Sequence, residues 1–396
     1  MRIRSIIRKV REVRDSLALC AAAKAERRRD RSAGLGEDQG IERTVAEALA
    51  WLGRAQDHST SHDGGVARHY SLISGWGASY PETTGYIAST LLTCGETQRN
   101  EALRRRGRRM LDWLVRIQFP EGGFQGGTID SKPAVPVTFN TGQIFLGLSS
   151  GAASFGEPYL GAMHRAAEWL VRSQDPDGCW RKHAPRFAAL GEKAYETHVA
   201  WGLLEAAQVA GEQRYADAAM QNVYWALTKQ QRNGWFADCC LTDPSQPLTH
   251  TLGYALRGLL QAYLYAQEAS LLEAGRRTGE GLLSAIAPTG FLPGRLDQSW
   301  QGTVTWSCLT GSVQIAHCLL LLYQTTHDTC FRDAAFALNA YVRRTIRLDG
   351  AAETRGAVKG SFPISGDYGR YQYPNWAAKF FIDSNLLEQT VWRSPG

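Results

Sequence analysis

The chain has 396 residues, of which 44% are hydrophobic and 21% are charged, and its formal net charge is +6. This length and composition are enough to bury a large core. The eight cysteines form no Cys-x-x-Cys pair and show no ligand spacing with histidine, so they resemble neither a disulfide framework nor a zinc site. Reduced cytosolic thiols are the simpler interpretation. The sequence predicts no metal site and no cofactor, but it leaves open whether polar groups elsewhere bind a divalent cation such as Ca²⁺.

The basic charge of the chain lies at its N-terminus. Residues 1–34 contain eleven Arg and Lys against four Asp and Glu, a balance of +7 that leaves the rest of the chain at about −1. An apolar stripe runs between these basic residues at helical spacing (Ile3, Ile6, Ile7, Val10, Val13 and Leu17). Residues 1–38 are therefore predicted to be a basic amphipathic segment that precedes the main domain.

Two interpretations of this segment stay open. A basic amphipathic helix can lie on an anionic membrane surface, which would place a cytoplasmic protein at the inner face of the membrane. Alternatively, the helix packs on the folded domain or is a solvated extension. No uninterrupted apolar run follows the arginines, so a cleaved signal peptide is not expected. Nucleic acid is not expected as a partner, because the basic residues lack interleaved aromatic residues.

From residue 39 onward, two kinds of apolar segment alternate. The first kind is amphipathic: in residues 159–174, Met163, Ala166 and Leu170 recur at helical spacing, and charged residues fall between them. Such a pattern is typical of a helix with one face on a core. The chain contains six of these segments, which are predicted to be outer helices (44–52, 101–118, 159–174, 214–230, 270–286 and 331–346).

The second kind of segment begins with a polar cluster and continues with a run that is nearly all apolar. The clusters recur every 54 to 65 residues (80–85, 139–143, 195–198, 249–251, 308–311 and 373–376). Repeats of this length must stack or close into a ring to bury their apolar faces. The sequence therefore predicts an all-α fold, an (α/α)6 toroid of six helical hairpins in one domain over residues 39–396. The six polar clusters would gather at one mouth of the ring.

Two loops support a toroid of this type. Residues 118–124 and 174–180 read Gln-x-x-x-Gly-x-aromatic, which resembles the glutamine-tryptophan repeats of the squalene cyclase and protein prenyltransferase toroids. In those families the repeat ties helix ends together on the outside of the ring. The Asp-x-Asp-Asp motif of class II terpene cyclases is absent, and no Asp/Cys/His set plainly supplies a prenyltransferase zinc site. A terpene cyclase or a prenyltransferase is therefore disfavoured.

A second resemblance concerns the polar clusters themselves. Residues 80–86, 139–143, 195–198, 249–251, 310–316 and 359–383 resemble a bacterial family of toroids encoded among exopolysaccharide biosynthesis genes, which includes the Vibrio polysaccharide biosynthesis protein J type. The resemblance spans roughly residues 40 to 390. It implies a role in making or processing a polysaccharide, with a polysaccharide or lipid-linked oligosaccharide as partner.

The mouth of the predicted ring suits an acidic glycan. Each inner helix begins there with unpaired N–H groups and a partial positive charge, which favour a carboxylate or phosphate group. The candidate catalytic residues are Glu82, Glu196, His198, His250, Tyr254 and Asp383. The candidate substrate-binding residues are Tyr86, Asn140, Gln143, Tyr195, Trp306, Arg370, Tyr373, Trp376 and Lys379. Taken singly, many of these side chains could instead be helix caps or core residues.

The sequence leaves three functions open. In a lyase or C5-epimerase, His250 or Tyr254 would act as base or acid while Asn140, His198 and Arg370 hold the uronate carboxylate. In an inverting glycoside hydrolase, two carboxyl groups among Glu82, Glu196 and Asp383 would flank the scissile bond. The third possibility is a scaffold that binds glycan without turnover.

Overall fold

The computed structural model describes residues 19–185, 188 and 191–393. Within these ranges the chain forms thirteen α-helices and five very short strands. The first helix, α1 (Ala21–Ser32), precedes the repeats. The other twelve helices alternate between an outer and an inner layer, as the sequence predicts.

The outer helices are α2 (Ile41–Asp57), α4 (Glu101–Ile117), α6 (Tyr159–Ser173), α8 (Gln213–Leu227), α10 (Ala269–Ala285) and α12 (Thr329–Arg343). The inner helices are α3 (Pro81–Thr97), α5 (Thr138–Phe155), α7 (Thr197–Ala210), α9 (Thr249–Ala266), α11 (Leu309–Thr326) and α13 (Asn375–Arg393). Each inner helix packs against the next, and α13 packs against both α11 and α3. The six inner helices therefore close into a ring, which confirms the (α/α)6 toroid.

Burial separates the two layers as their residue patterns predict. In α4 the buried side chains lie on one face, at Met110, Leu111 and Leu114, whereas Arg105 and Arg108 are exposed. In α5 nearly the whole circumference is buried between Thr138 and Ala152. An inner helix contacts neighbours on three sides, so it needs small residues where backbones approach each other.

Glycines provide this close approach between inner helices. A Cβ atom on Gly147 would lie 2.3 Å from the carbonyl oxygen of Gly85, and one on Gly202 would lie 2.4 Å from that of Gly142. Both distances are far shorter than any van der Waals contact. The backbones of α3, α5 and α7 can pack at this distance only because these positions lack a side chain.

The outer ends of the hairpins are tied together by glutamines. Gln118 donates to the carbonyl oxygens of Gly122 and Ala162, both at 2.9 Å. Gln174 donates in the same way to Gly178 at 2.9 Å and to Ala218 at 2.8 Å. Each glutamine thus joins its own loop to the next outer helix, as the resemblance to glutamine-tryptophan repeats implies.

Short strands join the first and last repeats beside the mouth of the ring. Strand β1 (His69–Ser71) lies between β2 (Gly75–Trp76) and β5 (Gln372–Pro374), and both pairings are antiparallel. Strand β3 (Ser307–Cys308) pairs with β4 (Ser361–Phe362). These pairings bring the loop that follows α2 next to the loop that precedes α13, although about 300 residues separate them in the chain.

Helix α1 docks on the ring through a buried cluster of charges. The ammonium group of Lys359 lies 2.7 Å from Glu26 and 2.5 Å from Asp30, and Asp30 also accepts a hydrogen bond of 2.8 Å from the backbone N–H of Ile364. The predicted apolar stripe from Ile3 to Leu17 lies outside the described residues. Among those that are described, no helix is long and apolar enough to cross a membrane.

Candidate functional site

A cavity of about 250 Å³ opens where the inner helices begin. Its walls combine aromatic rings with a few polar groups and contain both acidic and basic side chains. The lining residues are Arg68, Tyr80, Glu82, Phe139, Asn140, Pro185, Tyr195, Leu241, Leu248, His250, Tyr254, Tyr368, Gly369, Gln372 and Trp376. We call this space the mouth cavity. Six of the residues proposed from sequence line it: Glu82, Asn140, Tyr195, His250, Tyr254 and Trp376.

The inner helices arrange their central side chains in layers, because residues three or four apart lie one turn apart on the same helix face. The first layer faces the mouth cavity and contains Glu82, Asn140, Tyr195, His250 and Trp376. The second layer lies one turn deeper and contains Tyr86, Gln143, His198, Tyr254, Gln314 and Lys379. The third layer contains Thr90, Trp201, Arg257, His317 and Asp383. Tyr254 reaches up from the second layer into the mouth cavity.

Glu82 is the acidic side chain of the mouth cavity and is poised to exchange a proton. Burial raises the pKa of its carboxyl group from 4.5 to about 7, although a hydrogen bond from Tyr80 and the charge of Arg68 partly oppose this rise. The phenol of Tyr80 donates to Oε2 of Glu82 at 2.9 Å. A carboxyl group with a pKa near neutral pH can serve as either a general acid or a general base.

His250 and Tyr254 form a second polar wall of the same cavity. Burial, followed by the charge of Arg295, lowers the pKa of His250 to about 3, so its imidazole is neutral at pH 7. Among the described residues, Nδ1 of His250 and the side-chain nitrogen of Asn140 are buried and find no hydrogen-bond partner. Buried polar atoms are rarely left unpaired, so these atoms are oriented to meet a ligand.

Arg68 supplies a positive charge to the mouth cavity. Its guanidinium lies 5.1 Å from the ring centroid of Trp376 and 5.7 Å from that of Tyr80, and it contacts Nδ1 of His69 at 3.1 Å. It forms no ion pair with any carboxylate in the part of the chain that the structure describes. An arginine held on aromatic faces without an acidic partner is suited to bind an anionic ligand.

Two of the three carboxylates proposed from sequence lie away from the mouth cavity, which corrects their expected position. Glu196 is buried and does not line the cavity. Its Oε2 has no hydrogen-bond partner within the described part of the chain, and burial raises its pKa to about 8. Asp383 accepts hydrogen bonds from Lys379 at 2.6 Å and Thr90 at 2.8 Å in the third layer. It lies there because it follows Trp376 by seven residues, which is two helical turns.

Several other candidate site residues also lie outside the mouth cavity, contrary to expectation. Tyr86, Gln143, His198 and Lys379 lie in the second layer, below the cavity. Tyr373 points toward α1 and packs on Tyr70 with ring centroids 6.4 Å apart. Trp306 packs beside Gly294 and Gly366, and Arg370 lies over the ring of Tyr371 at 5.6 Å. None of these residues lines the mouth cavity.

The sequence reasoning missed lining residues that come from loops. Arg68, Tyr368 and Gln372 lie in or beside the strands that join the first and last repeats, and helical periodicity gives no signal for them. For Arg68 the sequence offers one signal, which is a basic residue in the loop between an outer helix and the next inner helix. No group of three or more His, Cys, Asp or Glu side chains within residues 19–185, 188 and 191–393 could hold a metal ion.

Comparison with known proteins defines the fold. No protein family and no curated relative matches this sequence. Similar solved structures include an unsaturated glucuronyl hydrolase specific for heparin, with a TM-score of 0.72, 13% identity and coverage of 89% of this chain and 98% of that one. A sugar epimerase from a ruminal bacterium has a TM-score of 0.72 and 12% identity, with coverage of 88% of this chain and 98% of that one. A cellobiose 2-epimerase from Bacillus thermoamylovorans has a TM-score of 0.68 and 10% identity, with coverage of 87% and 96% in the same order. At these identities the likeness establishes the shared toroid fold.

Proposed function

We propose that this chain is a carbohydrate-active enzyme of the acid/base type, and that it moves the C5 proton of a uronate residue in an acidic polysaccharide. An epimerase and a lyase share this step. The observation that carries the proposal is that Glu82, with a pKa of about 7, and Arg68, which has no carboxylate within ion-pair distance among the described residues, line the same cavity. The similarity of the fold to glucuronyl hydrolases and sugar epimerases supports it.

Arg68 would hold the carboxylate of the substrate. Its positive charge neutralises the uronate group, and this lowers the free energy of the enolate-like intermediate that forms when C5 loses its proton. Asn140 and His250 would orient the sugar through their unpaired nitrogen atoms. Aromatic rings at Tyr195 and Trp376 provide apolar surface for the ring faces.

Glu82 would take the proton in its ionised form. In an epimerase, Tyr254 or His250 then returns a proton to C5 from the opposite face of the ring. In a lyase, the bond between C4 and the glycosidic oxygen breaks instead, a double bond forms between C4 and C5, and the leaving oxygen takes a proton from Tyr254 or His250. Both outcomes use one base and one acid on different walls of the same cavity.

Hydrolysis by two carboxyl groups receives less support from the geometry. An inverting pair is about 6.5–9.5 Å apart, with both groups in contact with the substrate. Glu82 is the one carboxyl group that lines the mouth cavity among the described residues. Asp383 lies about 10 Å further along the ring axis, because two helical turns separate it from the first layer.

The resemblance of the polar clusters to the exopolysaccharide family supports a polymer made by such a gene cluster as the substrate. An acidic polysaccharide agrees with the positive charge of Arg68 and with the helix N-termini at the mouth. The basic residues of segment 1–38 would favour a polyanionic polymer or an anionic membrane surface nearby.

The test is incubation of the protein with a panel of uronate-containing polysaccharides. A lyase produces an unsaturated uronate that absorbs ultraviolet light, an epimerase exchanges the C5 proton with deuterated solvent, and a hydrolase produces only new reducing ends. Glu82→Gln should lower either of the first two rates at least 100-fold, whereas the exposed Glu212→Gln control should not. New reducing ends alone, or binding without any turnover by the unmodified protein, would exclude the proposal.

A further inference from the structure

A second cavity opens at the opposite rim of the ring, where the inner helices end. It has a volume of about 270 Å³ and is lined by the third layer together with side chains one turn beyond it. The lining residues are Ser89, Thr90, Thr93, Cys94, Leu146, Ser150, Trp201, Glu205, Arg257, His317, Lys379, Asp383 and Leu386. We call it the rear cavity. Thr93 is exposed and the side chain of Asp383 is 25% exposed, so the rear cavity is open to solvent.

Arg257 is the cation of the rear cavity that has no carboxylate within ion-pair distance in the described part of the chain. Its guanidinium lies 4.4 Å from the ring centroid of Trp201. Over the described part of the chain it forms no ion pair, whereas the neighbouring Lys379 is paired with Asp383 at 2.6 Å. Burial lowers the pKa of both cations; the charge of Arg257 lowers that of Lys379 further, whereas the nearby Asp383 and Glu205 partly oppose the fall at Arg257. An anion in contact with Arg257 would offset the free-energy cost of burying its charge.

The rear cavity narrows inward to a neck that holds unpaired polar atoms. Over the ranges that the structure describes, neither polar side-chain atom of Gln314 has a hydrogen-bond partner, and neither does Nδ1 of His198. Both side chains are more than nine-tenths buried. His317 extends the same wall, and burial together with the charges of Arg257 and Lys379 lowers its pKa well below 6.5. Neutral amide and imidazole groups of this kind pair with hydroxyl groups at low cost.

The chemistry of the rear cavity favours a sugar acid over a simple anion. Arg257 can pair with a carboxylate, while Glu205 and Asp383 can accept hydrogen bonds from sugar hydroxyl groups. Ser89, Thr93 and Ser150 add hydroxyl groups at the rim. Pockets for drug-sized ligands measure about 300–1,000 Å³, so this cavity has room for about one sugar ring.

We infer that the rear cavity is a second binding site for one sugar-acid residue, separate from the mouth cavity and held mainly by Arg257. Tyr86, Gln143, Tyr254 and Phe380 lie between the two cavities. The rear site would therefore bind a ligand without contact with Glu82. It gives the toroid a binding surface at each end, which suits a long polyanionic chain.

The test is calorimetric titration of D-glucuronate into the Arg68→Met variant, which lacks the cation of the mouth cavity. We expect about one site per chain. Arg257→Met in the same background should raise the Kd at least 10-fold, because it removes a charge-assisted pair. Monosaccharide binding is measured without turnover, so the result does not depend on the proposed reaction.

Steric variants provide a matched comparison that keeps every charge. Thr93→Trp would fill the opening of the rear cavity and should also raise the Kd at least 10-fold, whereas Thr97→Trp, one turn further along α3, should leave it unchanged. D-glucose and acetate should bind at least 10-fold more weakly than D-glucuronate. An unchanged Kd in both Arg257→Met and Thr93→Trp, no saturable binding, or equal affinity for acetate would overturn the inference.

Discussion

Tyr80 donates a hydrogen bond of 2.9 Å to the carboxyl group of Glu82, two residues further along the chain. Tyr80 is the last residue before α3, and Glu82 lies in its first turn. The backbone of Tyr80 is extended, and both side chains line the mouth cavity. The hydrogen bond stabilises the ionised carboxylate and opposes the effect of burial on the pKa.

Tyr80→Phe should therefore raise the pKa of Glu82 above its value of about 7. If the ionised carboxylate is the base, the rise of kcat/KM with pH should move to higher pH by about one to two units, because a hydrogen bond to a charged group contributes about 1.5–3 kcal/mol. The rate above this transition should be largely retained. The measurement is a pH profile of kcat/KM on the substrate found in the screen.

Tyr373→Phe is the matched control for this profile. Tyr373 was a candidate binding residue, but its ring packs on Tyr70 outside the mouth cavity. We expect its pH profile to match that of the unmodified protein. A shift of equal size in both variants would mean that the Tyr80–Glu82 pair does not control the titrating group.

Arg68→Met should weaken substrate binding through loss of charge while the apolar stem still packs on Trp376. A charge-assisted pair contributes about 1.5–3 kcal/mol, so KM for a uronate substrate should rise by about 10-fold or more. Arg370→Met serves as the comparison, because Arg370 lies over Tyr371 and does not line the cavity. Equal effects of the two substitutions on KM would contradict the role given to Arg68.

The helix pattern predicted the fold and the first layer of the site but not the depth of each residue. Glu82, Asn140, His250 and Trp376 come from the polar clusters and line the mouth cavity. Lys379 and Asp383 belong to the last repeat too, yet they lie one and two turns deeper. A polar cluster shows where an inner helix begins. The number of helical turns between that point and a residue then gives the layer in which the residue lies.

The helical pattern could not predict the residues that reach the mouth cavity from loops. Arg68 and Tyr368 enter the mouth cavity through the strand pairing between the first and last repeats. That pairing joins parts of the chain about 300 residues apart, and no local periodicity encodes it. Tyr195 precedes α7 in a 3-10 turn and so occupies the first layer, which leaves His198 one turn below it.

Glu196→Gln should make the stability of the protein less dependent on pH. Burial raises the pKa of Glu196 from 4.5 to about 8, so the folded state keeps a proton that the unfolded state loses as pH rises between these values. Stability therefore falls with rising pH across this window. The variant cannot ionise, so at pH 8 it should be more stable, by roughly 5 kcal/mol at most.

The two proteins should differ little near pH 4, where Glu196 is protonated in both states. The measurement is the free energy of unfolding in urea at several pH values. Glu212→Gln provides the control, since Glu212 is exposed and should change stability by less than about 0.5 kcal/mol throughout. A constant difference between Glu196→Gln and the unmodified protein at pH 4 and pH 8 would contradict the shifted titration.

Lys359→Met should detach α1 from the ring or destabilise the whole domain. Lys359 is 3% exposed and lies within 2.7 Å of Glu26 and 2.5 Å of Asp30. Its removal leaves the buried Asp30 without a cation and leaves Glu26 with only the half-exposed Arg29 as its partner, which costs about 3–5 kcal/mol. Arg276→Met removes the cation of an exposed pair with Glu273 and should cost less than about 1 kcal/mol.

Unfolding in urea measures both costs, and limited proteolysis after Arg27 or Arg28 reports whether α1 has come away. The combination of Lys359→Met with Glu26→Gln and Asp30→Asn should recover most of the lost stability, because no buried charge is then left unpaired. If Lys359→Met costs no more than Arg276→Met, the buried cluster does not hold α1 on the ring. If the combined variant is no better than Lys359→Met alone, the loss comes from packing and not from the two carboxylates.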